Sequence, residues 1–153
     1  MSTVSDPTSL WFSDAEINQQ ALANASALPY LMVAFARACG RTPEEAAAFS
    51  GKIFAPGWAR LAGAGARELV RQMALSIVCC GGEVQDLTGD STTAEVRVSG
   101  VPTEDEAAFF GITCAETDRY CDVFEPIARS LGFSYFWRRD GDLLVLSVSR
   151  PKS

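Results

Sequence analysis

Apolar positions recur at helical spacing through roughly the first eighty residues, and at strand spacing through much of the C-terminal half. Ser13-Asp-Ala-Glu16 is a capping box, whose hydroxyl and carboxylate satisfy amides left unpaired at a helix start. It predicts a helix to about Ala27. Pro29 is expected to open a second, short helix, Tyr30 to Cys39, which Gly40 stops. Thr42-Pro-Glu-Glu45 repeats the signature with proline at the first helical position. A third helix should therefore reach about Phe54, where Pro56-Gly57 breaks the chain. From Trp58 to about Cys80 runs the longest pattern, with Leu61, Gly65, Leu69, Met73 and Ile77 recurring every four residues. Arg60, Arg67 and Arg71 share another face, and Gly81-Gly82 ends the run.

The period then changes. Thr92 to Ser99 alternates, with Ala94, Val96 and Val98 on one side and Glu95 and Arg97 on the other. Glu83 to Leu87 reads as a weaker strand, joined to it by a turn at Gly89-Asp90. Thr103-Glu-Asp-Glu106 caps a helical stretch through Phe110. A further helix is expected over Glu116 to Leu131, bent or restarted at Pro126, whose nitrogen has no hydrogen to donate. Phe133 to Arg139 and Leu143 to Ser149 form a hairpin across Asp140-Gly141-Asp142.

The segment Gly82 to Ser99 and the segment Gly132 to Ser149 share an outline of glycine, strand, turn and strand. Two helix–hairpin units can join their strands into one four-stranded antiparallel sheet, with helices covering its apolar face. The expected fold is α+β. Residues 1–12 read as a loose lead-in, 13–55 as a helical subregion, and 57–99 and 103–149 as the two units of a single domain over 13–150.

Composition narrows the function. The chain has 153 residues, 48% hydrophobic and 21% charged, which are the values of one ordinary globular domain rather than a disordered segment or a coiled coil. Its net charge of −6 disfavours a nucleic-acid binder, whose affinity comes from neutralising phosphates. The longest apolar run, Met73 to Cys80, is too short to span a membrane. Met1-Ser-Thr-Val-Ser-Asp-Pro has neither the basic start nor the apolar run of a secretion signal. A cytoplasmic protein without membrane or nucleic-acid partners is expected.

There is no histidine. That excludes Ser-His-Asp and Cys-His catalysis and His-ligated metal sites. The lysines are Lys52 and Lys152 alone, so a Schiff base would fall to Lys52. Five cysteines, an odd number without a CxxC spacing, read as reduced thiols rather than a zinc ribbon or redox pair. No metal is expected, and no cofactor is specified by any motif. Gly63-Ala-Gly65-Ala-Arg67 lacks the G-x-G-x-x-G spacing and follows no strand. Small residues there should let two helices approach, and the row Arg60, Arg67, Arg71 reads as a solvated face.

Two constellations remain. On a continuous helix Cys114, Asp118 and Cys121 share one face, and a thiol at a helix N-terminus can ionise more easily. The alternative is that both thiols pack inside and Asp118 pairs with Arg119 or Arg129. On the third strand Phe133, Tyr135 and Trp137 share a face, with Phe136 and Arg138 opposite. Such a row can floor a pocket for a flat ligand, or simply pack on its own helices.

The run ending in Cys79-Cys80-Gly81-Gly82, the strand Ala94 to Val98, the Cys114 stretch and the closing strand Leu143 to Ser149 resemble the bacterial vinyl-reductase-like and aminothiazoline-carboxylate-hydrolase-like ligand-binding domains. Those families often finish with a Cys-x-Phe strand, where this chain has Ser147-Val148-Ser149. The resemblance implies a sheet-and-helix domain that holds a small molecule, and transfers no catalytic residue. The leading expectation is thus an accessory or regulatory domain for a largely apolar or aromatic ligand, lined by Tyr135, Trp137 and Arg138, with Cys114 and Tyr120 across from them. The alternatives are a thiol-dependent hydrolase or transferase using Cys114 or Cys121 with Asp118, and a structural or regulatory homo-oligomer, such as a homodimer, anchored by Trp11, Phe12 and Trp58.

Overall fold

The computed structural model describes residues 12–151, so Trp11 and the lead-in before it lie outside the described residues. The architecture is α+β, with four strands forming one antiparallel sheet in the order β1-β2-β4-β3. β1 is Glu83–Gly89, β2 Thr93–Ser99, β3 Ser134–Asp140 and β4 Leu143–Ser149. Among the described residues six α-helices accompany it: α1 Asp14–Ala38, α2 Pro43–Phe54, α3 Ala66–Val78, α4 Glu104–Phe109, α5 Cys114–Asp118 and α6 Phe124–Ser130.

The two hairpins meet along their second strands. Val96 pairs with Leu146, fifty positions later, so a pseudo-two-fold axis passes between residues that are each other's counterparts. Alternation decides which face is covered. Ala94, Val96 and Val98 of β2 and Leu144, Leu146 and Val148 of β4 are buried against Leu69, Met73 and Ile77 of α3 and Phe124, Ile127 and Ala128 of α6. Burying a side chain of this size contributes about 1.5–3 kcal/mol, so this layer dominates the stability. A smaller cluster joins Tyr30 and Val33 of α1 to Ala107 and Ile112 near α4.

The other face of the sheet carries ions. Glu95 accepts hydrogen bonds from Arg138 (3.2 Å) and Ser147 (3.1 Å) and pairs with Arg97 (3.2 Å). Val145, which pairs with both Arg97 and Arg138, is fully buried there, because long arginine stems shield apolar surface while their heads stay wet.

Several expectations are corrected. Pro29 does not divide the first helix, since α1 continues through it to Ala38. A proline inside a helix removes one backbone bond and bends the axis, and the capping box before it and the buried Tyr30, Val33 and Ala36 after it hold both halves helical. At Pro56-Gly57 the α-helix does end, with α2 stopping at Phe54 as expected, and the chain winds on as a 3-10 helix over Ala55–Leu61. The stretch from Trp58 to Cys80 is not one helix. Ala62 turns out of the helix (ψ 126°), and α3 begins at Ala66, where Ala66 and Arg67 donate to the carbonyls of Ser91 and Asp90 in the β1–β2 turn. Gly65 permits that docking, since a Cβ there would stand 2.8 Å from the Ser91 Cα; it serves a helix-on-turn contact rather than two packed helices.

The expected helix over Glu116 to Leu131 is likewise three pieces, with a 3-10 turn at Arg119–Val123 between α5 and α6. Pro126 falls in the first turn of α6, where its missing donor costs nothing. The three arginines are exposed, as a solvated row requires, but only Arg67 and Arg71 belong to α3, and Arg60 comes from the 3-10 helix before it. Arg60 donates to Gln72, Arg67 to the carbonyls of Leu87 and Gly89, and Arg71 to Glu68.

Candidate functional site

The cavity that stands out lies beside one end of the sheet and not beneath it, where α3 and α6 fill the space. It measures about 440 Å³. Leu28, Pro29 and Tyr30 of α1 form one wall, and Ile77, Cys79 and Cys80 at the end of α3 another. Phe54 and Trp58 close a third side. Tyr120, Cys121, Phe124 and Ile127 from the 3-10 turn and α6, with Val101, Pro102 and Leu144, complete it.

Local sequence places each wall. Thr42 and Glu45 cap α2 reciprocally, and α2 turns Ala47, Ser50 and Gly51 inward. At Gly51 the helix backbone lies so close to Val123 and Pro126 that a Cβ would collide with both. That contact seats the 3-10 turn against α2. From the other side Tyr135 donates to the Cys121 carbonyl (2.9 Å), and the Trp137 indole N–H donates to Asp122 (2.6 Å). Trp58 meets Phe124 edge-on at 6.0 Å. On α1, the Tyr30 hydroxyl donates to Glu106 (2.9 Å) and accepts from the Thr103 amide (2.9 Å), which fixes the wall that contains it.

The polar groups on the cavity surface are bonded within the protein. Ser76 donates to the Gln72 carbonyl and Thr117 to that of Thr113, while Asp118 is gripped by the Arg139 guanidinium. Burial pushes the Tyr120 phenol and the Cys80 thiol upward, so both stay neutral near pH 7. The site offers apolar surface and neutral polar atoms, and no free charge faces a ligand among the described residues. A cavity of this size and character suits a small apolar or aromatic molecule.

The sequence-derived candidates are divided by this geometry. Tyr120, Asp118 and Cys121 line the cavity. Cys114 does not: it shares α5 with Asp118 but packs beside the Tyr30 cluster, and the 3-10 turn after α5 breaks the register it would have shared with Cys121. Tyr135, Trp137 and Arg138 border a different groove of about 400 Å³, whose polar atoms are already paired. There Arg119 stacks over Trp137 at 5.3 Å while bonding Glu44 and Asp122, and Arg138 reaches Glu95.

Burial and then Glu104 raise the Cys114 thiol to about 11, and burial pushes Cys121 up as well, so both are protonated at neutral pH. Phe12 is exposed, and Trp58, offered as an interface anchor, stands in the cavity wall. The walls from α1, Phe54, the end of α3 and Leu144 had no signal in the sequence beyond ordinary core spacing.

These observations define the class as an α+β domain with a repeated helix–hairpin unit and an apolar cavity at the sheet's end. No family model, no curated protein and no solved structure matches this chain. Among the described residues no helix is long and apolar enough to cross a membrane, and no three Cys, Asp or Glu side chains converge as a metal site would require.

Proposed function

We propose that this protein is a small-molecule-binding domain, accessory or regulatory in role, that holds a neutral apolar or aromatic ligand in the 440 Å³ cavity between α1, α3 and the 3-10 turn. The single supporting observation is that cavity's apolar lining, with its polar atoms already satisfied. This reading agrees with what the vinyl-reductase-like resemblance implies, and moves the expected lining from Tyr135, Trp137 and Arg138 to Leu28, Trp58, Ile77, Tyr120 and Phe124.

Thermal unfolding against a library of aromatic and lipid-like compounds tests it. A compound at 100 times its dissociation constant should add about 2.7 kcal/mol of stability. Ser76→Phe, which pushes a ring into the cavity, should abolish that gain while the protein stays folded. A compound that stabilises both proteins equally, or a library with no hit, would remove the proposal's support.

The thiol-dependent hydrolase or transferase reading has less to recommend it, since a nucleophile needs a lowered thiol pKa and both candidates are raised. Iodoacetamide at pH 7 should alkylate the exposed Cys39 and Cys79 first and Cys121 last, as read by peptide mass mapping. Preferential alkylation of Cys114 or Cys121 would restore that alternative.

A further inference from the structure

We propose that the exposed stripe of α1 is an interface for a second copy of this chain. Ile17, Ala21, Asn24, Leu28, Leu31 and Phe35 follow one another at alternating steps of four and three, which keeps them in a single line along a helix that packs on another helix. The large residues of this line are exposed among the described residues, from 44% at Leu28 to 63% at Phe35. Every residue from Phe12 to Asn24 is exposed, so the first half of α1 extends without support from the body. A helix of that length is marginal in water on its own, and a partner helix supplies the missing stabilisation.

Charge selects the occupant. The protein carries −6, so two copies repel unless they meet through an uncharged surface. From Ile17 to Ala36 there is no charged side chain. A membrane-surface helix would instead need a basic face, and α1 has Asp14 and Glu16 at its start and no Arg or Lys before Arg37. Asn24 sits in the line, bonded to Gln20 (2.8 Å). A lone asparagine in an apolar seam sets register at a cost in affinity, which is the behaviour of a helix chosen for one defined partner. Phe49 and Ile53 are exposed on the adjoining α2, so the stripe need not supply alone the ~800 Å² each partner gives to a stable interface. The pairing is isologous, each copy offering the same stripe.

Sedimentation velocity of the full chain at micromolar concentration should give twice the 16.4 kDa chain mass. Leu31→Gln with Phe35→Gln, both on exposed positions of the well-packed half, should raise the dimer dissociation constant by about 100-fold or more, with near-ultraviolet circular dichroism of the body unchanged. Asn24→Leu should tighten association or shift it to higher oligomers, which a residue outside the seam would not do. A wild-type monomer, or a dimer indifferent to the double substitution, overturns the proposal. So does a monomer whose α1 amides lose protection from exchange only when residues 1–11 are deleted, which would put the chain's own N-terminal segment on the stripe. Vesicle binding abolished by the double substitution, without a dimer in solution, would assign the stripe to lipid and overturn it equally.

Discussion

The two helix–hairpin units share an outline and differ in how they are held. In the first, backbone meets backbone: the N-terminus of α3 donates to the carbonyls of Asp90 and Ser91 in its own hairpin turn, and Gly65 makes room for the contact. In the second, α6 is only seven residues long, and side chains do the fastening, through Tyr135 to Cys121 and Trp137 to Asp122. The consequence is spatial. The end of α3 far from that turn lines the cavity with Ile77, Cys79 and Cys80, while the shorter second helix is preceded by a 3-10 turn that forms another wall. One architecture is therefore held by two kinds of contact, and both units contribute to the cavity.

Glycines in the two turns give the largest contrast. Gly89 has φ +104°, and a Cβ there would collide with Thr93 and Ala94, whereas Gly141 has φ +57° with open space around it. Gly89→Ala should cost about 3 kcal/mol or more, and Gly141→Ala about 1–2 kcal/mol, by urea denaturation. Equal losses would mean that the first hairpin is no more tightly built than the second.

The side-chain fastening comes next. Tyr135→Phe leaves the Cys121 carbonyl without its donor, and Trp137→Phe leaves Asp122 held by Arg119 alone; each should cost about 1–2 kcal/mol. Because both bonds position the 3-10 turn, these variants should also weaken any ligand that the cavity holds. Full stability in both variants would show that apolar packing alone places that turn.

The smallest effect concerns the join between the units. Burial raises the Glu95 carboxyl, but hydrogen bonds from Arg138 and Ser147 outweigh it and leave it below the usual range. A lowered carboxylate stabilises the fold above its unfolded pKa, and that contribution disappears as the pH falls through the folded value. Unfolding followed from pH 7 down to about pH 3 should therefore steepen below the ordinary glutamate value near 4.3. Glu95→Gln should cost about 1 kcal/mol at pH 7 and flatten that slope. An unchanged slope would place the acid sensitivity elsewhere, with Asp90 and its two backbone donors the next group to test.

Much of this molecule is legible without coordinates. The reciprocal caps at Ser13 and Thr42, the alternation that buries Val96 and Leu146, and the turn across Gly141 all follow from contacts between near neighbours. Such contacts are written in spacing, so the strands, the caps and the α+β class can be read directly. The cavity cannot. It exists because α3 starts at Ala66 to dock on a turn more than twenty residues ahead, because a 3-10 turn takes Cys121 out of the helical register of Cys114 and Asp118, and because Gly51 meets Val123 across the fold. Runs of a few adjacent residues were enough to set which segments coil or extend and which of their faces are apolar, since those properties are local. Where the apolar surfaces fail to meet emerged only once the chain was folded, since an unfilled space belongs to several distant segments at once.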